Sequence, residues 1–407
     1  MNQQADVEEI ANRLISYGRP GAVRPPEGQL PRMAEGISIC APTAQDYYNA
    51  VSELYQAERT IASSYSIKTF DKRLLTFIAP YVLASEKVAK KAVSAFLREL
   101  SEHPLTDHYV YRPIHHITKK LGGGPVTLGC FTLYNTAQDA VALDEAMAGR
   151  LKDVLLEQSE HYLVRTRVKA RDDVLALELA DALLENFENA LRFMVGPGTR
   201  FDARVFETRA FSENRAIVWN GVSGFSSRES QKEPTKLDVD DDYFVAVEPG
   251  FDQIWAHLGA PSNPELVVKI LRAVDWIGQS IAEKVRANAF MKAAIALEAL
   301  FTPPKGSFAP SIVFQITENV VLLLGADKQT RLDIDKEFKR LYEIRSSITH
   351  SGDTDVAQDD VFRMQHMARQ VVITLLTNSI VKGCAKSEDL NNVLKCLKYS
   401  CPPLQAV

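Results

Sequence analysis

The chain lacks the residue patterns that bind zinc, cross a membrane or direct secretion. Its five cysteines, Cys40, Cys130, Cys384, Cys396 and Cys401, form no CxxC pair, which argues against a zinc site and a disulfide framework and reads as reduced thiols. No run of about 18 uncharged apolar residues occurs, so no transmembrane helix is expected. The opening MNQQADVEEIANRL is acidic and polar, without the basic and apolar regions of a secretory signal, and a cytoplasmic location is the expectation. Excess positive charge is missing too. With a net charge of −5, no global field draws in nucleic acid, and any such contact must be local. GGGP at 122–125 lacks the GxxxxGK[ST] spacing of a phosphate loop and reads as a hairpin connection. Asp238, Asp240, Asp241 and Asp242 lack the EF-hand pattern, and His108, His161 and His257 have no ligand spacing. No cofactor is implied.

What is present is an ordinary globular composition, 46% apolar and 24% charged over 407 residues, long enough for two domains. Residues 1–42 carry five prolines and four glycines and resemble an extended arm. Helical spacing begins at Thr43, a capping residue, runs through Tyr47, Val51, Leu54 and Tyr55, breaks near Asp71, and resumes from Leu74 to Leu100. HYVYRPIHHITKK and PVTLGCFTLY read as paired strands. A helix at roughly 137–158 leads to a third strand, HYLVRTRVKA, and Asp172 and Asp173 cap a long helix ending at Gly196-Pro197-Gly198. Further strands are expected near 203–210 and 215–225, and the polar stretch 226–242 reads as a surface loop or hinge. Beyond it every segment is helical. Pro264 opens the first, Pro303-Pro304 stops the second, Gly325 closes the third, and two more run from Arg331 to about Thr349 and from Asp359 to Val381. The expected fold is therefore an α+β domain at 43–242 followed by an all-α antiparallel helical bundle at 243–383, with a C-terminal tail at 384–407.

Within the fourth bundle segment, LYEIRSSITHSG, the residues Leu341, Ile344 and Ile348 continue an apolar stripe, and Gly352 supplies a left-handed stop. Arg345 and His350 are separated by about 140° around a regular helix, so each needs a partner from elsewhere, most economically a second copy across a two-fold axis. Ser346, four before His350, is placed to orient the imidazole. An imidazole can act as base or acid and a guanidinium can hold phosphate oxygens, the residue types that RNA cleavage by its own 2′-hydroxyl requires. Both cations are equally what a helix C-terminus favours for stability alone. Glu298, among apolar Ile295, Leu297 and Leu300, is either buried against a partner, with Arg345 the candidate, or an exposed helical glutamate. Arg165, Arg167, Lys169 and Arg171 recur at period two and form either a basic ribbon for a phosphate backbone or a solvated sheet face. Trp219, Trp255 and Trp276 read as core or domain-junction residues.

Taken together, AIALEALF at 294–301, FQITENVVLLLG and LYEIRSSITHSG resemble the Apea-like branch of the HEPN superfamily over about Pro264–Val381. That family's signature is an arginine, four to six residues, then a histidine on a four- to five-helix domain. The resemblance implies a metal-independent endoribonuclease, active as a homodimer through the bundle, used against phage or as a toxin, with RNA such as tRNA as substrate. Arg345 and His350 match the signature residues, Ser346 the polar position after the arginine, and Glu298 the acidic residue of the ALEAL segment. Ser346 departs from the Asn, Asp or His of many relatives. Some members are non-catalytic RNA or nucleotide binders, which is the alternative.

Overall fold

A computed structural model describes residues 6–21, 32–120, 123–146, 162–198, 205, 215–219, 225–229, 236–301, 312–352 and 354–399. The chain divides into two compact units, residues 1–110 with 167–181 and residues 111–166 with 182–407. Their boundary passes through two strands and one helix, β4 (Thr106–Pro113), β8 (Tyr162–Ala170) and α7 (Asp173–Val195).

The first unit begins with α1 (Val7–Tyr17), capped by the Asp6 carboxylate, which accepts from the Glu8 N–H. Its Ile10, Ala11 and Leu14 are buried in the unit's core. Three short strands, β1 (Gly18–Pro20), β2 (Arg32–Ala34) and β3 (Ile37–Ile39), form an antiparallel sheet in the order β1-β3-β2. The described residues of the expected N-terminal arm, 6–21 and 32–42, are therefore folded, because the apolar positions of α1 sit on one helical face even though the sequence between that helix and Thr43 is rich in proline and glycine. Thr43 caps α2 (Ala44–Gln56) in a reciprocal box with Asp46. After the single turn α3 (Arg59–Ala62), α4 (Ile67–Ala84) runs straight through Asp71 and contains Pro80. The expected break at Asp71 is absent because its buried carboxylate accepts from the Tyr47 hydroxyl. The helix stops instead at Ser85, in the left-handed conformation, and α5 (Lys90–Glu102) follows. The Phe77 and Phe96 rings stack at 4.4 Å between α4 and α5.

In the second unit, β6 (Val126–Leu128) and β7 (Phe131–Asn135) form a two-residue hairpin around Gly129-Cys130. Gly129 has φ +58°, and a Cβ there would meet the Trp255 carbonyl at 2.3 Å, so only glycine fits the turn. The hairpin expected at the triple glycine is displaced to this turn. Strand β5 (Ile117–Thr118) pairs in parallel with β11 (Leu237–Asp238), and the main sheet has the order β4-β8-β7-β6. The polar stretch taken as a hinge also holds β10 (Phe225–Glu229), paired antiparallel with β9 (Arg215–Trp219), and its buried Leu237 and Val239 belong to the core. The strand expected near 203–210 falls almost entirely outside the described residues. Of the helix expected at 137–158, α6 (Ala140–Ala146) is described and the remainder beyond 146 lies outside them.

Around the packed rings of Phe131, Phe187 and Trp255 the chain continues into helices: α8 (Phe251–His257), α9 (Glu265–Ala282), α10 (Arg286–Phe301), α11 (Ile312–Leu324), α12 (Lys328–Ser351), α13 (Gln358–Thr377) and α14 (Ser387–Lys398). Helix α9 packs on α10 and α13, α10 on α13, and α11 on α12. Gly278 lets α9 approach Asn189, where a Cβ would lie 2.3 Å from the backbone carbonyl. The α+β region followed by a helical region is thus present, but the domain limits shift. Described residues from 111–166 and 182–242, such as Phe131, Val164, Phe187 and Leu237, share one core with the helices. The expected tail contains α14, whose Leu390 and Leu394 are buried in that core, and the acidic first turn Glu388 and Asp389 begins it. No helix among the described residues is long and apolar enough to cross a membrane.

Candidate active site

Helix α12 starts where Asp327 accepts from the Thr330 N–H at 2.9 Å and stops at Gly352, with φ 66° and ψ 22°. It is unbroken through both Arg345 and His350. Phe338, Leu341 and Tyr342 are buried and Ile344 and Ile348 pack against the core, which defines the inner face. Rotation of about 100° per residue puts Arg345 in the middle of that face and His350 on the far side. The structure separates the two within one chain, as the spacing requires.

The inward direction of Arg345 brings it to α10. Its Nε donates to Glu298 Oε1 at 3.0 Å and its Nη2 lies 3.0 Å from the same oxygen. The side chains are 27% and 23% exposed, so the pair sits at the rim of the core, open on one side. Of the two arrangements the sequence left open for Glu298, the partnered one is found. Beneath it the buried Tyr342 phenol is pushed well above its usual range by burial, with the Glu298 carboxylate adding to the shift and Arg345 opposing it. Tyr342 also packs its ring 4.9 Å from that of Phe338. The Glu298 carboxylate therefore holds the guanidinium at this rim.

Ser346 and His350 are both exposed, and no hydrogen bond joins them. The expected orienting contact does not form; next to His350, the Thr349 hydroxyl donates to the Arg345 carbonyl at 2.9 Å. His350 occupies the last turn, at the negative end of the helix.

A second charged cluster, not anticipated from the sequence, lies one turn earlier. Arg340 bridges Glu337 at 2.9 Å and Asp360 of α13 at 2.6 Å, and Arg363 reaches Glu337 at 3.3 Å. The hydrogen bond from Arg340 holds Glu337 below the usual carboxylate range against a smaller opposing effect of burial. The i,i+3 spacing of Glu337 and Arg340 was the available signal; Asp360 comes from the next helix.

The basic strand residues have partners of their own. Arg165 donates to Thr132 Oγ1 at 3.1 Å and lies 5.6 Å from the Tyr134 ring centre. Arg167 pairs with Asp107 at 2.7 Å. Arg171 donates to the carbonyls of Thr60, Ser101 and His103. Lys169 remains exposed on the same strand. Lys119, near the triple glycine, is buried on Asp139 at 2.7 Å. Among the described residues no group of three or more His, Cys, Asp or Glu side chains is placed to hold a metal ion, and the four described cysteines are free. Comparison with protein-family models, with curated proteins and with solved structures finds no match for this chain.

Proposed function

We propose that the helical region is a metal-independent endoribonuclease of the HEPN type, acting as a phage-defence or toxin-like effector. The observation that carries this is the Arg345 guanidinium held at the rim of the core by Glu298, on the same unbroken helix as an exposed His350. Arg345 binds the non-bridging oxygens of the scissile phosphate. His350 from a second copy, facing it across a two-fold axis, moves the proton. The 2′-hydroxyl loses its proton as its oxygen attacks phosphorus, the P–O5′ bond breaks, and the departing 5′-oxygen is protonated. A 2′,3′-cyclic phosphate and a 5′-hydroxyl result. Glu298 acts by positioning Arg345, and Ser346 lines the exposed rim without contacting His350.

Purified protein incubated with total RNA or tRNA in EDTA is expected to give fragments with 2′,3′-cyclic phosphate ends. His350→Ala lowers the rate by about 10²- to 10⁴-fold without changing the melting temperature, since the side chain is exposed. Loss of cleavage on chelation, or a monomeric mass unchanged by RNA, overturns the mechanism. The placement of Arg345 and His350 on opposite sides of α12 also fits a non-catalytic HEPN module that binds RNA or a nucleotide. Tight RNA binding without strand scission selects that alternative.

A further inference from the structure

We propose a mononucleotide-binding recess in the second unit where three helix ends meet: the C-terminus of α9 and the N-termini of α10 and α13. The recess has a volume of 260 Å³ and is lined by Ser280, Lys284, Arg286, Gln358, Phe362 and Gln365 among others. It involves neither Arg345 nor His350 and does not depend on the ribonuclease proposal.

The first observation is a buried acceptor with nothing to accept. Gln365 is 3% exposed. Its Nε2 donates to Ser280 Oγ at 2.9 Å, and that hydroxyl donates to the Ala289 carbonyl at 2.6 Å. This relay fixes the carboxamide: turning it over would place Oε1 against a hydroxyl whose proton is already committed. Gln365 lines the recess, and no protein group donates to its buried Oε1. A buried amide oxygen in this condition calls for an N–H or O–H from outside the chain.

The second observation is charge. Lys284 and Arg286 are both exposed at the mouth. Glu283, the carboxylate in the lining, is already engaged by Lys292 at 2.8 Å. The α13 N-terminus begins at Gln358 with no side-chain cap. The Asp360 and Val361 N–H groups return to the Ala357 carbonyl, while those of Gln358 and Asp359 have no partner within the helix. Of the two acids in this turn, Asp360 is engaged by Arg340 and Asp359 is exposed. Arg286 keeps one nitrogen on the Val356 carbonyl, 3.1 Å away in the link leaving α12, with its remaining donors available. These groups select an anion.

The third is an aromatic face. Phe362 is 38% exposed although it belongs to the same stripe of α13 as Gln358 and Gln365. A ring for stacking, an acceptor for an exocyclic amine and cations for a phosphate are the elements that recognise a nucleotide. The volume suits one nucleotide, either free or as the phosphorylated 5′ end of an RNA.

Isothermal titration of the full chain with AMP tests this, with inorganic phosphate, adenosine and a 5′-phosphorylated oligoribonucleotide as further arms. AMP is expected to saturate at one per chain below about 1 mM, and more tightly than adenosine or phosphate. Lys284→Glu, at an exposed position, should weaken it by about tenfold or more, and Gln365→Leu should weaken adenosine and AMP alike. Displacement of AMP by the oligoribonucleotide makes the occupant an RNA end, and failure to displace it makes the occupant the free nucleotide. Absence of saturable AMP binding, phosphate binding as tightly as AMP, or AMP binding indifferent to Lys284→Glu would each overturn the proposal.

Discussion

Arg171 and Arg345 both sit near the end of a regular element, and both were candidates for contact with RNA. Arg171 donates to three carbonyl oxygens and to Ser64 Oγ, while its own N–H bonds to the Ser64 carbonyl. Its guanidinium is spread over the Thr60 carbonyl, the Ser64 hydroxyl and the Ser101 and His103 carbonyls at the end of α5. Arg345 is held by one carboxylate oxygen, on one flank, at the rim of the core. A cation bound to backbone carbonyls completes the fold. One held by a single carboxylate at an open rim is aimed, and the difference comes from which groups hold it, not from the residue type.

The largest effect on this contrast is expected from Arg171→Ala. Removing the guanidinium takes the side-chain donor from the Ser101 and His103 carbonyls at once, which costs about 2–4 kcal/mol. Calorimetry should show the melting transition of the first unit moving down while that of the second stays in place. If the transition moves by less than a degree or so, Arg171 is a surface cation and the basic strand becomes a candidate phosphate track again. Next in size is Glu298→Gln. The amide can still accept from Arg345 but no longer holds its charge, so RNA cleavage should fall by about ten- to a hundredfold. The melting temperature should change little, because the pair is partly solvated. Unchanged cleavage would remove Glu298 from the site and leave Arg345 as a helix-end cation.

The same contrast separates what was legible in the sequence from what was not. The Thr43 cap, the Asp172 cap and the Gly352 stop were readable because each is local chemistry within a turn of its helix. The Glu298–Arg345 pair was readable as one of two arrangements, since an acid within an apolar helix needs a cation and the fourth bundle segment supplies one. Asp71 was misread as a break because its partner, the Tyr47 hydroxyl, comes from another helix. The partners of Arg171 are likewise scattered over residues 60 to 103. The triple glycine attracted the hairpin assignment, although the true turn at Gly129 is set by the approach of Trp255. The Gln365 recess left no trace in the sequence, as it exists only where three helix ends converge.

Smaller effects should come from acid. Burial pushes the Asp172 carboxyl up, but hydrogen bonds from the Leu175 and Ser66 N–H groups and the Ser66 and Thr69 hydroxyls outweigh it and hold the group below the usual range. A depressed folded pKa contributes stability that is present above the unfolded value, about 3.9, and lost as pH falls through the folded one. The first unit should therefore lose stability below about pH 4. Asp172→Asn should cost about 1–2 kcal/mol at neutral pH and flatten that acid dependence. An unchanged acid limb would show that other carboxylates set it. The second unit, with Asp275 pushed up by burial despite hydrogen bonds from Asn189 and Gln279, carries a contribution of the opposite sign.

The smallest effect lies beside His350 itself. Gly352 adopts φ 66°, and nothing lies within 4 Å of the position its Cβ would take, so Gly352→Ala meets no clash and costs only the left-handed backbone, about 1 kcal/mol. That penalty falls on the last turn of α12, which should fray and carry the imidazole with it while Arg345, anchored a turn and a half earlier, stays on Glu298. Cleavage should fall only a few-fold, and Gly352→Asn, which tolerates this conformation better, should fall less. Equal and complete loss in Gly352→Ala and His350→Ala would mean that the helix end, not the imidazole, is what the reaction requires.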